Sequence, residues 1–171
     1  MKKYIIVLML TVKISYAQVN IDNCSKANDC SRIVSAGGSI TEIIYLLKQE
    51  DNIVGIDVTS VYPKITNKKK SIGYVRNLST EGILSMSPTL IIGEDDMGPP
   101  AIIKQLKDLS LDLRIIEERQ TTSGIIEKIE CIGEILNVDE KCKNIIQKEI
   151  YPAVEELTRI KSINEMKKIK V

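Results

Sequence analysis

Histidine is absent from this 171-residue chain, and so are phenylalanine and tryptophan. The first absence excludes every mechanism that needs an imidazole: Ser-His-Asp hydrolysis, Cys-His chemistry and zinc sites built on histidine. Net charge is nearly absent too, with 24 Lys and Arg against 23 Asp and Glu. A chain at +1 offers no general attraction to the phosphate backbone of nucleic acid. No phosphate-binding loop or nucleophile elbow occurs, which argues against a small α/β enzyme working through Ser, Asp or Cys. No CxxC motif occurs either. Isoleucine, by contrast, appears 30 times. Together with the heavy lysine usage this reads as a compositional bias, so the run Lys68, Lys69, Lys70 is taken as a solvated loop.

What is present fits one globular unit. At 43% hydrophobic and 27% charged residues the chain can bury an ordinary core, and its length leaves no room for a second full domain. Residues 1–17, MKKYIIVLMLTVKISYA, combine a basic start, a short apolar run and small residues at Ser15 and Ala17. That pattern predicts a cleaved secretory signal peptide, the apolar run being too short to span a membrane. Cleavage after Ala17 would remove Lys2, Lys3 and Lys13 and bring the net charge from +1 to −2. A periplasmic location is expected, with no lipid-anchor cysteine close behind the apolar run.

Four cysteines suit an exported protein. They permit three pairings, and local spacing favours Cys24 with Cys30 and Cys131 with Cys142, against a reading of buried free thiols.

After a polar segment (18–31), short Ile/Val/Leu runs alternate with helical periodicity, which predicts an α/β fold with a small parallel sheet flanked by helices. Expected strands cover residues 32–36, 53–57, 89–93 and 113–117. Between the first two, Ser39 and Glu42 suggest a capping box ahead of the apolar face Ile40, Ile43, Ile44, Leu47. Gly37 and Gly38 serve the strand-to-helix turn, too few glycines for a dinucleotide fingerprint. Short helices are expected over 80–86 and from Pro99 through 109. A helical hairpin and a long C-terminal helix follow from Ser123, with Pro152 expected to kink or restart the last helix. The α/β lobe is placed at 32–136 and the long linker helix at 137–171, where the chain halts as a new strand would begin.

The stretch richest in chemistry is the long loop after the second strand, DVTSVYPKITNKKKSIGYVRNLST (57–80). Loops beyond about 12 residues in a compact domain are usually functional or disordered, and this one follows the carboxyl end of a strand, where open α/β sheets bind ligands. In an extended segment the spacing of Tyr74 and Arg76 puts a phenol and a guanidinium on one side. Each also has a plainer reading, a ring packed at a loop base and a solvated arginine. Glu81 is explained by the dipole of an early helical turn without any partner. Tyr45, Tyr62 and Tyr151 read as structural. The triplet Glu94, Asp95, Asp96 resembles a metal-binding run, but three adjacent side chains cannot all face one ion.

At these residues the chain resembles the periplasmic haem-binding proteins of bacterial ABC haem importers, the haem subgroup of the cobalamin- and siderophore-type substrate-binding family. The resemblance rests on RIVSAGGSITEIIY (32–45), GIDVTSVYP (55–63), SIGYVRNLSTEGILSMSPTLII (71–92) and EDDMGPPAIIKQL (94–106). It implies one lobe of a bilobed, non-enzymatic binding protein that works as a monomer with an ABC permease and ATPase and carries haem for iron uptake. Tyr74 matches the axial phenolate ligand of the ferric iron, Arg76 a propionate-holding residue, and Glu81 an acidic residue that docks on the permease. The framework is shared with cobalamin and siderophore carriers. The second lobe of such proteins, with its docking residue and ligand contacts, has no counterpart in this sequence, so a truncated product is expected, with a non-functional remnant as the alternative reading.

Overall fold

The computed structural model describes residues 23–168, with side chains to Lys161. The expected signal peptide and residues 18–22 of the polar segment lie outside the described residues. Four short parallel strands form the central sheet: β1 (Ile33–Ala36), β2 (Ile53–Ile56), β5 (Leu90–Glu94) and β6 (Leu113–Ile116), in the order β2-β1-β5-β6. A two-stranded antiparallel hairpin, β3 (Gly73–Tyr74) and β4 (Asn77–Leu78), sits apart from it.

The central strands β1 and β5 are buried on both faces and the edge strands β2 and β6 are at least half-covered on both, which is why the sequence reads as continuous apolar runs there. Alternation along the strands divides the core in two. Ile33, Ile53, Ile56, Leu90, Ile92 and Ile116 point to the face covered by helices α1 (Gly38–Leu46), α4 (Thr122–Ile135) and α5 (Asp139–Ile145). Val34, Ala36 and Ile91 point to the other, packed with Val75 and Leu78 of the hairpin, Ile83 of α2 (Thr80–Leu84) and Leu106 of α3 (Pro100–Asp108). The expected strands and the helices from α2 onward thus appear within one or two residues of their predicted bounds, whereas α1 ends at Leu46, short of the expected run to Glu50.

Two expectations are corrected, the Ser39 cap and the cysteine pairing. Ser39 is not a cap: α1 begins at Gly38 with Gly37 as its N-cap, and no side chain caps it. Ser39 lies one residue inside the helix, and its hydroxyl donates to Glu94 Oε1 (2.6 Å). Pro152 falls in the first turn of the last helical segment, as a restart there requires. A π-turn at Ile146–Ile150 joins α5 to α6 (Tyr151–Lys168), and this wider turn just upstream relieves the i−4 carbonyl that a proline ring crowds.

The disulfide is neither of the expected pairs. Cys24 bonds Cys131, with Cα atoms 4.7 Å apart, and Cys30 and Cys142 are free. The physical reason is where α4 lies. The segment after Asn23 wraps its C-terminal half, with Ala27 N donating to Ile135 O (3.0 Å) and the Cys30 thiol to the same carbonyl (3.5 Å). Cys131 thereby faces Cys24. Cys142 packs instead on Gly133, its thiol donating to Ile129 O (3.3 Å). Burial, first, raises the pKa of both free thiols. Arg114 on β6 also holds the wrapping segment, donating to Ser25 O (2.8 Å) and Ser25 Oγ (3.0 Å).

No helix among the described residues is long and apolar enough to cross a membrane.

Candidate functional site

In the strand order β2-β1-β5-β6 the connections leaving β1 and β5 diverge. That divergence opens a crevice at the carboxyl ends of the strands, where α/β sheets hold ligands. Gly37 ends β1 there and Glu94 ends β5. The loop leaving β2 starts at Asp57, whose buried carboxylate is saturated. Oδ1 accepts from Gly37 N (3.0 Å) and Ser60 Oγ (2.7 Å), and Oδ2 from Thr59 N (2.8 Å) and Thr59 Oγ1 (2.5 Å). Ser60 continues through Thr41 to Ser35 in a chain of hydroxyls at 2.7 and 2.8 Å. A carboxylate with all these donors fixes the loop's departure and leaves nothing for a ligand.

Further along, Val58 N donates to Gly73 O (2.9 Å), so the same loop carries the β3–β4 hairpin. Tyr74 pairs with Asn77, which makes Val75 and Arg76 the hairpin's two-residue turn. Arg76 therefore sits in the turn that follows Tyr74, not beside it along one side of an extended strand as their spacing suggests. Tyr74 is 46% exposed. Arg76, with a side chain 63% exposed, pairs with Asp96 through Nε and Nη2, both 2.8 Å from Oδ2. Its pKa is raised, first by that hydrogen bond, then by the Tyr74 charge and the Asp96 charge. Gly98 N to Val75 O (3.0 Å) and Leu78 N to Gly98 O (2.9 Å) stitch the hairpin to the loop after β5.

The acidic triplet diverges. Glu94 turns to Ser39 and to Lys128 (3.2 Å), Asp95 accepts from Glu118 N (3.4 Å), and Asp96 takes Arg76. Among the described residues no three His, Cys, Asp or Glu side chains group as a metal site.

Lys128, on α4, is the site residue that the sequence reading missed. Its side chain is 6% exposed, and its ammonium is met by Ser39 Oγ (2.5 Å), Glu94 and Glu118, which uses all three of its donors. A signal existed, because Lys128 interrupts the buried stripe Gly124, Cys131, Ile132, Ile135 of α4, where an unpaired cation would be expensive. Lys128 and Ser39 also border a cavity of about 590 Å³ whose walls include Ile43, Tyr62, Pro63 and Ile125. Tyr74 and Arg76 do not line that cavity.

The loop between β2 and the hairpin leaves Val58, Val61, Tyr62 and Ile65 exposed, so this edge carries apolar surface next to Tyr74's loop. Tyr62 is 63% exposed and not a packing residue as expected, whereas Tyr45 is buried in α1. Glu81 is exposed in the first turn of α2, behind Ser79, whose hydroxyl accepts from Gly82 N (3.0 Å). Within the lysine run, Lys69 is structural, donating to Glu50 O (2.7 Å) and Ile53 O (3.0 Å), while Lys68 and Lys70 are exposed.

Comparison with known proteins agrees with this architecture. The ABC transporter substrate-binding lipoprotein YvrC of Bacillus subtilis, itself uncharacterized, is 32% identical over 75% of this chain and 43% of its own length. The periplasmic heme-binding protein HutB of Vibrio cholerae superposes with a TM-score of 0.70 at 32% identity, over 77% of this chain and 50% of that one. A vitamin B12-binding protein of Vibrio parahaemolyticus is 24% identical over 86% of this chain and 52% of its own. The chain thus spans about half the length of the relatives it matches. Those relatives are substrate-binding proteins and not enzymes. The model of the family described as Periplasmic binding protein matches residues 33–164, and the chain belongs to that family.

Proposed function

We propose that residues 32–136 are the N-terminal lobe of a haem-binding component of an ABC importer, exported to the periplasm, with 137–171 leading toward a second lobe. The observation that carries this reading is the hairpin. It holds Tyr74, the chain's best-placed iron ligand in the absence of histidine, half-exposed at the ligand-binding edge of the sheet with Arg76 beside it. Exposed Val58, Val61 and Ile65 supply apolar surface for a porphyrin, and Arg76 a cation for a propionate. Glu81, exposed on α2, is the residue that meets the permease. A cobalamin carrier of the same fold is the second reading, favoured by the vitamin B12-binding relative.

Titration of the purified protein with hemin tests both. Ferric haem should develop the spectrum of a tyrosinate-ligated high-spin iron, Tyr74→Phe should abolish it, and Tyr62→Phe should leave it. An unaltered spectrum in Tyr74→Phe removes the ligand assignment. Binding of cyanocobalamin in preference to hemin supports the second reading.

A further inference from the structure

Arg76 reaches the ligand edge already engaged. Nε and Nη2 both lie 2.8 Å from one oxygen of Asp96, while the guanidinium remains 63% exposed. Of its five N–H groups the Nε one is hydrogen-bonded to Asp96, with Nη2 in ion-pair contact, which leaves the outer edge between Nη1 and Nη2 without a hydrogen bond among the described residues. That outer edge is the fork that accepts a carboxylate bidentately. The backbone makes the arrangement rigid, because the turn holding Arg76 and the loop holding Asp96 share the Gly98–Val75 and Leu78–Gly98 hydrogen bonds. Asp95, next to Asp96, accepts from Glu118 N and does not compete for Arg76.

We infer that Asp96 is a positioning residue that sets how strongly the site selects an anionic ligand, by aiming the outer edge of Arg76 while cancelling its charge. The inference rests on the proposed haem site and concerns its specificity. A lone arginine at an exposed edge would attract any anion. Paired with Asp96, it attracts one that fits the remaining fork, and the Asp96 carboxylate repels ligand carboxylates from across the guanidinium.

The two roles separate by substitution. Asp96→Asn keeps an acceptor oxygen for Arg76 and removes the charge, whereas Asp96→Ala removes both. The readout is the affinity ratio of ferric protoporphyrin IX as the free acid to its dimethyl ester, which a general loss of folding or of iron binding does not change. For Asp96→Asn the ratio should rise about 2- to 5-fold, the scale of one screened charge at a surface. For Asp96→Ala it should stay below the Asn value, because the fork is no longer aimed. In Arg76→Ala the ratio should fall toward one, and adding Asp96→Asn to that variant should not raise it above the value for Arg76→Ala alone. An unchanged or lower ratio in Asp96→Asn overturns the inference, as does an equal rise in the Arg76→Ala background. Failure of Tyr74→Phe to alter the iron spectrum would instead overturn the haem site itself, so the two failures are distinguishable.

Discussion

Gly37 and Glu94 stand at the carboxyl ends of adjacent parallel strands, so close that a methyl group on Gly37 would lie 2.5 Å from Glu94 Cδ and 2.8 Å from Oε2. Gly37 also adopts φ +143°, a conformation that side chains other than hydrogen rarely allow. Gly37→Ala should therefore strain the backbone by about 1–3 kcal/mol and push the Glu94 carboxylate off its partners. Urea denaturation should show a lowered midpoint, and a hemin titration should show weaker binding because the loop tied to Gly37 through Asp57 moves with it.

Lys128 offers a second test. Replacing it with Met keeps the volume but leaves Glu94, 17% exposed, without its cation. Breaking such a buried pair by removing one partner costs about 3 kcal/mol or more. Lys128→Met should lose about that much in chemical denaturation, while Lys128→Met with Glu94→Gln should recover part of it. No recovery in the double variant would mean the pair is not the source.

The disulfide closes a loop of sequence separation 107, and constraining so long a loop in the unfolded chain is worth about 2–5 kcal/mol. Cys131→Ser should lower stability on that scale and loosen the segment around Ala27, read by hydrogen exchange. Cys30→Ser should change little. Thiol counting fits the same picture: under denaturing, non-reducing conditions two thiols react, Cys30 and Cys142. In the native state Cys142, at 2% exposure, should react more slowly than half-buried Cys30, and burial holds both thiols protonated to higher pH than a free cysteine.

Glu81 can be tested without touching the ligand edge. It lies in the first turn of α2, outside the hairpin, and makes none of the contacts that hold Tyr74. Glu81→Arg should weaken binding to the cognate permease in detergent or nanodiscs and leave hemin affinity unchanged. Since a single exposed ion pair is worth about 0–1 kcal/mol, reversal of its sign is the informative change. Equal permease affinity in both proteins would remove Glu81 from that role.

The central sheet was legible because its strands are covered on both faces, fully in the middle and partly at the edges, and so spell near-continuous Ile, Val and Leu, with Gly and Pro between them. Tyr74, Arg76 and their loop stood out by length and position. Their true relation did not, since a two-residue hairpin turn and an extended segment give the same spacing of two. Ser39 with Glu42 satisfies the local capping pattern, yet Gly37 takes the cap because only it accepts the required backbone. The cysteine pairing is set by a segment wrapping a helix more than 100 residues away, which no local spacing encodes. Lys128 was visible as a charge on an apolar stripe, but its partners come from α1, β5 and the loop after β6, and two of the three are distant in sequence.

The three consecutive carboxylates Glu94, Asp95 and Asp96 each answer to a different neighbour: Lys128 on α4, the backbone of Glu118, and Arg76 in the hairpin. Surface connections ordinarily tolerate insertions and deletions. Here a residue added directly after Glu94 would move Asp95 and Asp96 off their partners together, two attachments lost for one change in length. Sequence drift in this stretch is thus confined to substitution, and the spacing between the end of β5 and Pro99 should be the same in any relative that retains the hairpin, α1 and α4 in this arrangement.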